Sequence, residues 1–138
     1  ERLDELIALK RDIFAFYAEE LSGVPGLTLN AEPPQVFNSY WMVTAVLDPS
    51  LGLLKQQVAA ELGADGIDTR PFFYPLSWQP AFRDQPSAEG AVARNPTAYA
   101  ISSTGINLPS GYNVTRDVAA RVSRSLKSIL ARHARRAA

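Results

Sequence analysis

Cysteine is absent from the 138 residues, and with it disulfides, thiolate metal sites and cysteine nucleophiles. Histidine occurs once, as His133, past the last apolar position of a terminal helical pattern, where a solvated helix end is expected. A Ser-His-Asp arrangement and a zinc centre therefore have too few parts to form. Net charge is missing too: fourteen basic side chains stand against fourteen acidic ones, so no nucleic-acid partner is expected. No apolar run approaches the ~20 residues that cross a bilayer, so no membrane partner is expected either. The absence of cysteine is compatible with a reducing cytosol, and a cytoplasmic location is expected.

What is present is the composition of a folded domain, 46% hydrophobic and 20% charged, at the size of one ordinary unit, residues 1–138. The chain opens on Glu1, directly into a helical pattern with no signal-like region, and is expected to be cut from something longer. From Glu1 to Leu21 apolar residues recur at three- and four-residue steps, predicting a long amphipathic helix that Ser22-Gly23-Val24-Pro25-Gly26 ends. Val36 to Leu47 is rich in β-branched and aromatic residues without Gly or Pro, predicting a largely buried strand. Asp48-Pro49-Ser50 starts a helix with Leu51, Leu54, Val58 and Leu62 on its inner face. Ile67 to Tyr74 reads as a second strand, with Pro71 at an edge, a bulge or its end. A proline-interrupted loop from Trp78 to Asn95 follows. Asn95-Pro96 opens a short helix through Ile101, and Gly105 to Pro109 supplies a third strand. Asn113 or Thr115 caps a final helix with Val118, Val122, Leu126 and Ile129 on one face. This order predicts an α+β, two-layer sandwich.

Side-chain chemistry offers no reaction centre. Glu19-Glu20, Glu61 and Asp65 read as solvated helix positions, and Lys10, Lys55 and Lys127 as helix-surface cations without apolar surroundings. Arg132, His133, Arg135 and Arg136 read as a solvated basic helix end. No glycine-rich phosphate loop is present. The unusual segment is GIDTRPFFYPLSWQPAF, residues 66–82, with five aromatics, three prolines and one arginine. Two readings stay open for it. It is an edge strand whose aromatics plug the core with Arg70 in water, or a rigid ligand-facing rim in which Arg70 offers a fixed cation to carboxylate or phosphate.

That segment also carries a resemblance. ERLDELIALKRDIFAFYAEEL, NSYWMVTAVLD, GIDTRPFFYPLSWQPAF and AISSTGINLPS together resemble the C-terminal small domain of the DegT/DnrJ/EryC1/StrS family of pyridoxal-phosphate-dependent nucleotide-sugar aminotransferases. The third segment is the most specific, matching a "GI-x-TR-x-x-x-x-PLH-x-QP-x-Y" pattern. The resemblance implies a small, mostly antiparallel sheet packed on helices. It also implies that the chain completes a pocket for a nucleotide-sugar substrate while a large domain of the same polypeptide holds the pyridoxal phosphate. The full-length form would be a homodimer transferring an amino group from an amino acid such as glutamate to a keto-sugar. The domain alone would bind no cofactor and be inactive. Some relatives dehydrate sugars instead.

Carried over position by position, the resemblance implies that Arg70, Phe72, Tyr74 and Ser77 face substrate, with Tyr40 as a further rim candidate and Trp41 in the core. Ser77 stands where the family commonly has histidine, leaving a hydrogen bond in place of proton transfer. Phe82 stands where tyrosine is frequent. The alternative is an independently folding interaction or ligand-binding module without enzymatic activity, docking through the Trp78–Pro96 loop.

Overall fold

The structure, a computed structural model, describes the backbone of residues 1–137 and the side chains through residue 134. Helix α1 (Leu3–Leu21) leads into strands β1 (Leu27–Leu29) and β2 (Val43–Leu47), then helix α2 (Lys55–Ala64) and strand β3 (Arg70–Pro71). Helices α3 (Ala91–Arg94) and α4 (Pro96–Thr104), strand β4 (Gly105–Leu108) and helix α5 (Arg116–Ala137) complete the order. The strands form one antiparallel sheet in the order β1-β2-β4-β3, so the fold is a small antiparallel sheet packed on helices, of the α+β class.

Side chains alternate across a strand, and the cross-strand register Val43↔Leu108 and Ala45↔Ile106 puts these four and Leu47 on one sheet face. All five are buried, against Ile13, Tyr17 and Leu21 of α1, Val58 and Leu62 of α2, and Ala119, Val122, Leu126, Ile129 and Leu130 of α5. Each fully buried Leu, Ile or Val in this layer contributes about 1.5–3 kcal/mol. Tyr17 shows no exposure and donates its hydroxyl to the Pro109 carbonyl at 2.9 Å; burial pushes the phenol well above its ordinary pKa. Thr115 is the cap of α5, its hydroxyl accepting from the Val118 amide at 3.3 Å. On that helix the inward stripe runs through Ala119 and Leu130, and Val118 is 40% exposed, off the expected face.

Several boundaries differ from the sequence expectation. The strand expected from Val36 starts at Val43, because β4 offers only four partners and residues 38–41 are turned by local polar contacts. There the Asn38 side chain accepts from the Tyr40 amide at 2.9 Å, and Tyr40 takes φ +48°. The helix expected from Asp48 is a single 3₁₀ turn over Pro49–Leu51, stopped by left-handed Gly52; α2 begins at Lys55 and leaves Leu54 exposed. The strand expected over Ile67–Tyr74 keeps two residues, since Pro71 has no amide to donate and the Phe72 amide makes the last rung to the Gly105 carbonyl at 3.0 Å. Strand β1 lies in what the sequence presents as a connector. The loop from Trp78 holds a short α3 and a 3₁₀ turn, and the Asn95-Pro96 helix runs as α4 straight into β4. At that junction Gly105 is required by proximity: a Cβ there would sit 2.8 Å from the Ile101 carbonyl oxygen and from the Phe72 Cβ.

Charges expected in solvent also tie elements together. His133 is not a free helix end: its Nε2 lies 2.6 Å from Glu61, whose other oxygen takes Arg132 at 2.7 Å, and hydrogen bonding to Arg132 first and His133 second holds the Glu61 carboxyl below its ordinary pKa. The side chains of Arg135 and Arg136 lie outside the described residues. Glu32 binds the Arg11 guanidinium through both oxygens at 2.6 and 3.0 Å and accepts the Asn38 amide at 2.8 Å, which clamps the 32–40 segment onto α1. Hydrogen bonding to Arg11 above all holds its pKa down at about 2.

A depressed carboxylate stabilises the fold fully above its unfolded pKa and loses that contribution as pH falls through the folded value. Stability should therefore decline between pH ~4.5 and ~2. In urea titrations across that window Glu32→Gln should lower stability at neutral pH and flatten the acid slope, the residual slope coming from Glu61, Glu5 and Asp48, whose carboxyls are also held below their ordinary pKa. An unchanged slope would remove the clamp from the account.

Candidate functional site

The 66–82 segment is held at one place in the core and otherwise lies on the surface. Gly66 turns the chain at φ +72° and Ile67 enters the core at 4% exposure. Beside it, Arg121 donates to the Asp65 carbonyl at 2.7 Å, and the Ser125 hydroxyl donates to the Asp65 carboxylate, so α5 fixes the segment's start. Beyond β3 the aromatics do not plug the core: Phe73, Tyr74, Trp78 and Phe82 are each about half exposed and Leu76 is 73% exposed. Rings hold one another instead. Phe73 lies parallel to Trp41 at 6.0 Å, and Trp78 stands edge-on to Tyr99 at 5.1 Å. Trp41, expected in the core, is 62% exposed, because the turn at Tyr40 swings it outward onto Phe73.

Four of the five candidate residues follow this exposed ribbon, and each meets a different hollow. Arg70, with a side chain 73% exposed and 3.2 Å from Asp68, lines a cleft of ≈ 570 Å³ with Lys10, Trp41 and Arg121. Phe72 is half-buried and lines a shallow hollow with Arg94, Pro96 and Ile101. Tyr74 borders a pocket of ≈ 310 Å³ with Lys55, Pro71 and Ile106. Ser77 borders a hollow of ≈ 410 Å³, where its hydroxyl is 2.5 Å from that of Tyr99. Tyr40 stands apart, 6% exposed, stacked on Phe14 at 3.7 Å, with the Arg11 guanidinium 5.3 Å from its ring centre.

The residue the sequence misplaces most is Lys55. It is buried at 4% exposure, its ammonium bonded to the Ser102 carbonyl and 5.2 Å from the Tyr74 ring centre, and burial lowers its pKa. A signal existed: Lys55, Val58 and Leu62 share a three-and-four spacing, the inward face of α2. The grouping of Lys10, Arg70 and Arg121 around one cleft had none, since they come from α1, β3 and α5.

Pyridoxal phosphate needs an amine, a sheltered acid opposite its ring nitrogen, and donors for its phosphate. Lys55 has a carbonyl and a ring beside it but no acid, and Asp68, the carboxylate lining the Arg70 cleft, has a side chain 82% exposed and engaged by Arg70. The described residues therefore do not fit the cofactor by themselves. Among them, no group of three or more His, Cys, Asp or Glu is placed to hold a metal, and no helix is long and apolar enough to cross a membrane.

An antiparallel sheet packed on three helices is a fold this chain shares with part of aminotransferases of known structure. The chain superposes at TM-score 0.79 on a crystal structure of DesI in the presence of its TDP-sugar product, with 26% identity over 95% of this chain and 33% of that one. 3-Amino-5-hydroxybenzoic acid synthase shares the fold at TM-score 0.78, with 19% identity over 95% of this chain and 36% of that one. Residues 1–127 match the model of the DegT/DnrJ/EryC1/StrS aminotransferase family, and the chain belongs to that family. Among curated relatives, GDP-perosamine synthase of Vibrio cholerae is 32% identical over 128 residues, 93% of this chain and 34% of the relative. EpsN of Bacillus subtilis, a putative pyridoxal phosphate-dependent aminotransferase, is 31% identical over 126 residues, 88% of this chain and 31% of the relative. The chain thus spans about a third of the length of the relatives it matches.

Lys55→Ala should strip the Ser102 carbonyl of its donor and the Tyr74 ring of its cation, at a cost of about 2 kcal/mol in denaturant unfolding. Amide exchange in the last turn of α4 should accelerate, with Lys55→Arg restoring much of the protection. Wild-type stability and exchange in Lys55→Ala would contradict this anchoring.

Proposed function

We propose that the 138 residues form the C-terminal small domain of a pyridoxal-phosphate-dependent aminotransferase that passes an amino group from glutamate to a keto-sugar nucleotide. In this reading the domain completes the substrate pocket and is not catalytic alone. The observation that carries it is the ribbon from Phe72 to Phe82, whose rings lie on the surface around one edge of the sheet although the core has closed without them. Half-exposed aromatics held by one another present a stiff apolar wall at low entropic cost, as a pocket rim requires. The length relation to the relatives and the sugar chemistry in their names support the same reading.

Within it, Arg70 offers a fully charged, exposed guanidinium to a substrate carboxylate or phosphate. Phe72 and Tyr74 wall the sugar, and Ser77 presents a hydroxyl already paired with Tyr99. Buried Tyr40 positions the turn that projects Trp41 and does not itself reach the substrate. The cofactor, the lysine that holds it and its phosphate cradle belong to a large domain of the same polypeptide; when bound there, pyridoxal phosphate supplies the electron sink for amino transfer. The assembled enzyme is a cytoplasmic homodimer acting on a nucleotide-sugar.

The test is a chimera in which these residues replace the matching third of the Vibrio cholerae GDP-perosamine synthase. A folded chimera should transfer amino groups, and Arg70→Ala in it should lower kcat/KM by roughly 10–100-fold, about 1.4–2.8 kcal/mol of transition-state stabilisation. The isolated chain should show no turnover. A folded chimera without transfer, or one indifferent to Arg70→Ala, would favour the independent binding module.

A further inference from the structure

Lys55 is the one charged side chain that lies buried among the described residues. Its ammonium gives a hydrogen bond to the Ser102 carbonyl and sits 5.2 Å from the Tyr74 ring centre, and no carboxylate of a described residue comes within ion-pair distance of it. Helix ends do not supply the missing counter-charge. Ser102 lies in the last turn of α4, whose negative end offers roughly half an elementary charge, but Lys55 is also the first residue of α2, whose positive end cancels about as much. A buried charge is costly unless it is paired, and this cation is one partner short.

Space for that partner lies beside it. Lys55, Ala59, Pro71, Tyr74 and Ile106 line a pocket of ≈ 310 Å³ between α2 and the β3 edge of the sheet, with Gln56 exposed at its margin. Apolar walls around one charged group are the usual composition of a small-molecule site. Ile106 belongs to the helix-packed face of the sheet, and its register partner Pro71 shares that face, whereas Arg70 pairs with Asn107 on the other. The pocket has no lining residue in common with the cleft that Arg70 borders.

From the unpaired cation and the apolar space beside it we infer that this pocket binds a small aliphatic monocarboxylate, its carboxylate on the Lys55 ammonium and its chain against Ala59, Pro71 and Ile106. One cation matches one negative charge, and the aliphatic lining disfavours a dianion, whose second charge would be buried without a partner. An ammonium carries three N–H donors, so Lys55 can hold the carboxylate while keeping its bond to Ser102. The inference does not rest on the aminotransferase reading, with which it shares only Tyr74.

The test is NMR titration of the 138-residue chain, whose core closes among its own residues, with hexanoate, acetate and hexanol. Hexanoate should bind and shift the resonances of Lys55, Ala59 and Ile106. Acetate, which lacks the chain, and hexanol, which lacks the charge, should each bind at least about ten-fold more weakly. Lys55→Gln should weaken hexanoate binding about ten-fold, 1.4 kcal/mol, and Lys55→Arg should retain most of it. Ala59→Leu, which fills the pocket and leaves the cation in place, should weaken binding as much, and it decides the matter should Lys55→Gln prove poorly folded. Arg124→Gln, exposed on α5 and outside the pocket, should change nothing. Absence of hexanoate binding, shifts elsewhere with none at the three named residues, equal binding of acetate or hexanol, or affinity unmoved by Ala59→Leu would each overturn the proposal. Because no turnover is read, none of these results bears on amino transfer.

Discussion

Burial of one face of a four-stranded sheet beneath α1, α2 and α5 is the constraint on which the rest of this domain depends. The two central strands are short, and every core-facing side chain on them is used up against a helix. Tyr17 shows how tight the closure is, since its ring is wholly enclosed and its hydroxyl must find the Pro109 carbonyl to be tolerated there. With that layer complete, the ribbon from Phe73 to Phe82 has no interior left to enter. Their rings stay on the outside and settle on one another.

Polar anchors then decide where those outer residues stand. Arg121 and Ser125 seize Asp65, Lys55 lies under Tyr74, and the Arg11–Glu32 pair clamps the turn from which Trp41 swings out. These contacts join the outer surface to the three core helices and restrain it against them. Stiffness of that kind suits a surface that must present aromatic walls and a guanidinium without further ordering. In the proposed role the domain contributes shape and charge to a pocket, a reading that membership of an aminotransferase family and a length about one third of the relatives support.

The main helices were legible because their apolar spacing reflects burial directly: α1 and α5 emerge where three- and four-residue steps predict them. Strands were less so. Val36 and Phe37 have the composition of a strand yet lie exposed, because a ladder needs a partner and β4 is too short to supply one. β1 pairs despite an unremarkable sequence, since Val46 and its neighbours were free to accept it. Of the candidate site, the ribbon and Arg70 could be picked out from their composition, but Trp41 and Tyr40 exchanged environments through a single backbone turn with positive φ at Tyr40, which no periodicity announces.

By itself the sequence determined the long helices α1 and α5 and the α+β class, which depend on spacing along the chain, and through its motifs a resemblance to the family; it singled out residues 66–82 but left open whether their rings enter the core or form a rim. Only the tertiary structure decided that Lys55 is buried, that His133 is held by Glu61, and that Lys10, Arg70 and Arg121 share one cleft. The reason is distance through space: 47 positions separate Lys55 from Ser102, 72 separate Glu61 from His133 and 111 separate Lys10 from Arg121, and only packing around a common core brings them within reach.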